Sequence, residues 1–248
     1  MITFPDDVKA AYSRSKNIIR KTPLDHSPSL SNIIDGDVYL KLDNIQKTGS
    51  FKFRGAISKM TSLNEKQRKK GVVTASTGNH GAAVSLGMKI LGINGSIIVP
   101  ENIAPNKVEN IKNLGGTVEY YGNDCLEAEQ RAQEISVTTG AIYISPYNDP
   151  VIVAGQGTMG VELDEDLSNI DTVIVAVGGG GLISGIGGYL KTVQPKVEMV
   201  GCSPKNSCVM YESLQAGRIL DLPSKPTLSD GTAGGVEENS ITFEICKK

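Results

Sequence analysis

Histidine is nearly absent from these 248 residues, which contain only His26 and His80. The four cysteines, Cys125, Cys202, Cys208 and Cys246, form no C-x-x-C pair. A zinc cluster would be hard to assemble from this set, and the thiols read as reduced and structural. Blocks of five or more basic residues are missing too. With a net charge of -2 and a pI near 5.8, the chain carries no electrostatic footprint for nucleic acid or an acidic membrane. No apolar run approaches the roughly 18 residues of a spanning helix. The opening "MITFPDDVKA" lacks both the basic and the apolar region of a leader. These absences leave a cytoplasmic protein with no membrane or nucleic-acid partner, acting on a small molecule.

What is abundant is glycine, 28 residues against 11 prolines, which suits many tight turns in a globular chain. The length is enough for one large α/β domain or two smaller ones. From about residue 72, short apolar runs alternate with helical ones: "GVVTAS", "GNHGAAVSLGMKILG", "GSIIVP", "APNKVENIKNLGG", "TVEYYG", "NDCLEAEQRAQEISVTTG" and "AIYIS". Spacing near 3.6 puts Ala83, Leu86 and Ile90 on one face, as it does Val108, Ile111 and Leu114, and Ala128, Ala132 and Ile135. Pro105 suits a first helical position and Gly115 a helix end. A second series runs from "VIVAGQGTMGVEL" through "TVIVAVGGGGLISGIGGYLK" to "VEMVGCSP", and "DDVKAAYSRSKNII" reads as an amphipathic helix. The pattern predicts an α/β fold with two open, mostly parallel twisted sheets covered by helices. Ligands are expected at the carboxyl ends of the strands. "NDP" at 148–150 is the best turn between the two series.

Three stretches could carry chemistry. In "KTGSFKFRGA", Thr48, Gly49 and Ser50 are helix-entry residues that place Lys52 in a first turn, beside Arg54 and between Phe51 and Phe53. The helix dipole, the aromatic surface and the second cation all disfavour its protonation. Lys52 is then either a solvated surface lysine or a free amine able to attack an aldehyde, as in pyridoxal-phosphate attachment. In "TASTGNHGAA", a strand turns into a helix. Backbone N–H groups from Ser76 to His80 could cradle a carboxylate, or Thr77 or Asn79 could simply cap the helix. His80 alone reads as a structural hydrogen-bonder. In "VIVAVGGGGLISGIGG", four glycines after a strand let several N–H groups converge on a phosphate, or form a plain turn. This stretch lacks the G-x-G-x-x-G spacing of a dinucleotide loop, Gly179, Gly181 and Ser184 coming nearest. The following strand offers Cys202 and Ser203 where a ribose-binding acid is wanted. A phosphate without a nucleotide fits best.

The pieces "KTGSFKFRGA", "STGNHG", "VIVAGQGT", "GGGGL" and "LSDGTAGG", in this order over essentially the whole chain, resemble the fold-type II pyridoxal-phosphate enzymes, in the branch of serine/threonine dehydratases and serine racemases. The resemblance implies a tryptophan synthase beta-like fold. Residues 1–64 and 147–248 would form a large cofactor domain and 65–146 a small one, with the cofactor in the cleft. Lys52 would be the Schiff-base lysine and Phe51 would pack on the cofactor ring. Asn79 would bind the ring hydroxyl, Gly178, Gly179, Gly180, Gly181 and Leu182 the phosphate, and Gly231 would lie along the ring. Ser76, Thr77, Gly78 and His80 would line the substrate carboxylate. The implied chemistry is β-elimination, with Lys52 removing the α-proton, to give a 2-oxo acid and ammonia. A homodimer is implied by the resemblance alone.

The chain also departs from that pattern. Where many relatives place carboxylates that bind a divalent cation, "SPKNSCV" offers Ser203 and Val209, so no metal is expected there. This feature is similar to the subgroup of ectoine-utilisation dehydratases, which leaves substrates beyond threonine and serine open. Thr77 stands where similar racemases use a serine hydroxyl on the cofactor face opposite the lysine. The end, "NSITFEICKK", reads as a helix, after which relatives continue through another strand and helices. A shortened product with an exposed apolar edge is the expectation. The leading reading is a dehydratase acting on a small 3-hydroxy amino acid. An amino-acid racemase of the same fold and an inactive cofactor-binding fragment are the alternatives.

Overall fold

A computed structural model describes residues 2–248. The chain opens with helix α1 (Asp6–Ser15), shorter than its amphipathic pattern, then strand β1 (Leu24–His26), helix α2 (Pro28–Ile34) and strand β2 (Tyr39–Lys41). β1 and β2 pair antiparallel. Helices α3 (Lys52–Ser62) and α4 (Glu65–Lys70) lead into the alternating series of β3 (Val72–Ala75), α5 (Asn79–Leu91), β4 (Gly95–Val99), α6 (Pro105–Asn113), β5 (Val118–Tyr120), α7 (Cys125–Thr139) and β6 (Ile142–Tyr143). The four strands form one parallel sheet in the order β5-β4-β3-β6. Next come α8 (Pro150–Asp166), β7 (Thr172–Ala176), α9 (Gly181–Val193), β8 (Glu198–Cys202), α10 (Val209–Ala216) and α11 (Ile241–Cys246), with β7 and β8 pairing in parallel. The predicted α/β class with two mostly parallel sheets is borne out.

Local chemistry explains the boundaries. The α7 start is capped by Asp124, whose carboxylate accepts from Glu127 N–H, and α5 ends on Gly92 in the left-handed region at φ 62°. Asp149 caps α8 by accepting from the N–H groups of Val151 and Ile152, with Pro150 as first helical residue. Ala83, Leu86 and Ile90 fall on one helix as spaced, although Ile90, in its last turn, is 42% exposed where Ala83, Val84 and Met88 are buried. One expectation fails. Cys125 and Cys202 are exposed, so these two thiols have no packing role.

Helix α8 is apolar nearly all round and buried from Ile152 to Leu163, as a central helix must be. It contacts α1, α3 and α9. Residues 155–160, "GQGTMG", have the spacing of a dinucleotide fingerprint but sit in the middle of α8, away from any strand-to-helix turn. These glycines serve packing. A Cβ on Gly185 of α9 would lie 2.4 Å from Val153 O and 2.5 Å from Gly157 N, and one on Gly155 would lie 2.7 Å from the Gly55 Cα of α3. Helices α3 and α9 therefore press on α8 at near-backbone distance, and α8 ties the start of α3 to the start of α9. One apolar core runs from the four-stranded sheet into α3 through Phe53, Ile57, Met60 and Ile152. A second joins α1, α8, α9 and β7 through Val8, Ala154, Ile186 and Val175.

Candidate active site

Gly49, at φ 75°, turns the chain into α3, so that Phe51 becomes the N-cap and Lys52 the first helical residue. The Lys52 Nζ donates to Pro146 O at 2.9 Å and stands 5.5 Å from the centroid of the Phe51 ring. Although the residue as a whole is half-buried, its amine end is enclosed. Desolvation lowers it from the ordinary 10.5 to about 8. Arg54, expected to add repulsion, instead faces the interior. It is fully buried and bonded to Asp43 at 2.7 Å and Glu162 at 2.6 Å. Burial, and not the neighbouring cation, is what disfavours the ammonium form of Lys52.

The second stretch leaves β3 and enters α5 with Gly78 at the N-cap. Neither Thr77 nor Asn79 caps the helix, so the capping reading of this turn is overturned. Ser76 Oγ accepts from Gly78 N–H at 3.2 Å, and among the described residues the Thr77 hydroxyl has no partner. Asn79 opens α5 and directs its amide toward Gly231, whose position for a Cβ lies 3.8 Å from Asn79 Nδ2. His80 is buried with Nε2 2.9 Å from Ile144 O, so that nitrogen carries the ring proton. Burial first, then the charge of Lys52, depress its pKa to about 3. The imidazole is neutral at physiological pH.

The third stretch follows β7. Gly180 caps α9 at φ 80° in the left-handed region, and a Cβ on Gly178 would lie 2.7 Å from Thr232 O. Only glycine suits both positions. Among the described residues, none of the N–H groups from Gly178 to Leu182 donates to the backbone or to a side chain. These groups border a cavity shared with Phe51, Lys52, Gly231 and Tyr147. Its enclosed part is small, about 60 Å³, and it opens to solvent beyond. A wider recess, about 280 Å³, lies on the outer surface between Tyr121, Glu127 and Arg131, away from these groups.

Thus the first and third stretches and Gly231 meet at one cavity, and Asn79 of the second faces Gly231. Pro146, Tyr147 and Thr232 were missed. The signal for the first two was available: they follow β6 at its carboxyl end, where ligands sit in parallel sheets. The sequence offered that turn only as a boundary. The arrangement presents unpaired N–H groups to an anion and, beside them, an amine that gives up its proton at about pH 8.

The model of the family described as pyridoxal-phosphate dependent enzyme matches residues 16–248. The chain is 44% identical over 248 residues to L-threonine ammonia-lyase of Thermotoga maritima, covering all of this chain and 61% of that protein. It is 40% identical over 224 residues to serine racemase of Arabidopsis thaliana, covering 90% of this chain and 68% of that one. The solved structure of maize serine racemase superposes with a TM-score of 0.93 at 35% identity, covering 98% of this chain and 73% of that one. The chain therefore spans about two thirds of the length of these relatives.

Proposed function

The chain belongs to the pyridoxal-phosphate dependent enzyme family, and from that premise we propose that it converts a small 3-hydroxy amino acid, such as threonine or serine, to a 2-oxo acid and ammonia. The observation that carries this reading is Lys52, a buried amine lowered to about 8 and set beside a glycine loop with unpaired N–H groups. The residues present fit the cofactor. The N–H groups of Gly178 to Leu182 would hold its phosphate, and the amine of Lys52 would bind its aldehyde carbon. Phe51 would pack on its ring, Asn79 would bind its ring hydroxyl and Gly231 would lie along it. When bound, the cofactor supplies a sink for the electron pair left behind as the α-proton departs.

The remaining work falls to side chains and backbone. Lowering Lys52 from 10.5 to about 8 raises its neutral fraction near pH 7 roughly 300-fold. Its Nζ can therefore take the α-proton without first shedding one at high cost. Ser76 and Thr77, at the carboxyl end of β3, would receive the substrate carboxylate on their N–H groups, and Gly78, whose N–H is taken by Ser76 Oγ, would line the same turn. His80 would back this wall as a neutral ring held to Ile144 O. On the same proposal, residues 65–146 form the small domain and residues 1–64 with 147–248 the large one. In support, among the described residues β3 to β6 pair only with one another.

The unpartnered hydroxyl of Thr77 supports a second reading, racemisation, in which it would serve as a second proton-transfer group. One experiment separates the two. The protein is incubated with the cofactor and L-threonine or L-serine, then assayed for oxo acid and for the chirality of the remaining substrate. Oxo acid without the opposite enantiomer is the expected result, whereas accumulation of the opposite enantiomer would favour the racemase. Borohydride should fix the cofactor to the Lys52 peptide in the parent and not in Lys52→Ala. Fixation elsewhere would remove the basis of both readings.

A further inference from the structure

The glycine loop does not hold its own orientation. Two hydroxyls from distant parts of the chain grip its carbonyls. Ser203 Oγ, just past β8, donates to Val177 O at 2.8 Å, and Thr242 Oγ1, on α11, donates to Gly179 O at 2.6 Å. A carbonyl can only accept, so Thr242 is the donor there. Ser240 Oγ, 2.7 Å from Thr242 Oγ1, is then the donor to Thr242. Ser240 and Thr242 are both buried, at 1% and 0% exposure, so water does not compete for either bond.

The consequence follows from peptide geometry. In a trans peptide the C=O and the following N–H point to opposite sides, and the only cis peptide among the described residues is Phe4-Pro5. With Val177 O held by Ser203 and Gly179 O held by Thr242, the N–H groups of Gly178 and Gly180 are turned the other way, toward the cavity. Met210, Thr242 and Cys246 close the opposite side at Gly180. Without those bonds, glycines could rotate the same peptides and present carbonyl oxygens to an anion.

We propose that Ser203 and Thr242 are positioning residues for the phosphate of the cofactor, setting the polarity of a glycine loop that they flank but do not belong to. The proposal rests on the cofactor reading above and deepens it.

The test compares pyridoxal phosphate with pyridoxal, which lacks the phosphate, on the full chain. The measurement is the concentration of each that half-labels Lys52 on borohydride reduction, read by peptide mass. In Thr242→Val and Ser203→Ala, the value for pyridoxal phosphate should rise about fivefold each, while that for pyridoxal stays as in the parent. Thr242→Ser should restore the parent value. A thermal melt of each variant identifies general loosening. Equal losses for both probes, a loss that follows melting temperature alone, or no loss would each overturn the proposal. A parent that fails to prefer the phosphorylated probe would overturn the phosphate cradle itself, and a parent labelled at Lys52 by neither probe would overturn the cofactor reading; either result would take this proposal with it.

Discussion

An amine that keeps its proton inside the fold costs the folded state stability, and Lys52 makes that cost measurable. Its pKa is about 8 in the fold against 10.5 in the unfolded chain. Below pH 8 both states carry the proton, and the full penalty of enclosing an ammonium ion is present. Between pH 8 and 10.5 the unfolded chain binds more protons than the folded one, so stability rises with pH until the penalty is gone. Lys52→Met should therefore be more stable than the parent by about 2 kcal/mol at pH 7, less than the full conversion of the shift because part of the side chain still meets water. That advantage should vanish above pH 10.5. Urea unfolding at pH 7 and pH 10.5 measures it, and an equal difference at both would show that the gain is apolar packing alone. The lysine was legible from the residues around it. Its mate Arg54 was misread, because Asp43 and Glu162, which neutralise it, lie 11 and 108 positions away in the chain.

Among the elements, α8 positions the site without touching the chemistry. The first residues of α3 and of α9 carry the amine and the end of the glycine loop, and both helices rest on α8 through glycine contacts. The two glycines of α9 at 185 and 187 should then respond in opposite ways. At Gly185 a Cβ meets backbone atoms of α8, which cannot step aside, so Gly185→Ala should destabilise by about 3 kcal/mol. It should also impair labelling of Lys52 by the cofactor. At Gly187 the nearest atom is the Met199 Cγ at 3.4 Å, an ordinary contact. Gly187→Ala should be neutral or stabilising by up to about 1 kcal/mol, since alanine is the better helix former. Chemical denaturation of the pair measures both, and similar losses would contradict the assigned contact. The helices of this region were legible from apolar runs and glycine-rich turns. Their partners were not, because an all-round apolar helix shows no preferred face from which to read a neighbour.

For the molecule as a whole, the buried charges join parts that the chain order separates. Arg54 of α3 links Asp43, in the turn after β2, to Glu162 of α8, and Lys41 of β2 reaches Glu162 at 2.7 Å. Removing the guanidinium leaves two carboxylates enclosed with less compensation, so Arg54→Met should cost about 4 kcal/mol. Arg54→Lys should recover only part, because an ammonium ion cannot fork to both acids. The midpoints of urea unfolding measure this, and a change under about 1 kcal/mol would mean that water reaches the cluster.

The α/β class, the alternating series and the helix entries at Lys52 and at the glycine loop were determined by the sequence itself. Helix periodicity, strand runs and glycine-rich turns are encoded within a few neighbouring residues. Only the tertiary structure decided that Thr232 walls the cavity, that Arg54 turns inward, and that Ser203 and Thr242 grip the glycine loop. Those contacts join residues dozens of positions apart, and local preference does not record which distant hydroxyl or carboxylate the packing of α8 and α11 will bring within bonding reach.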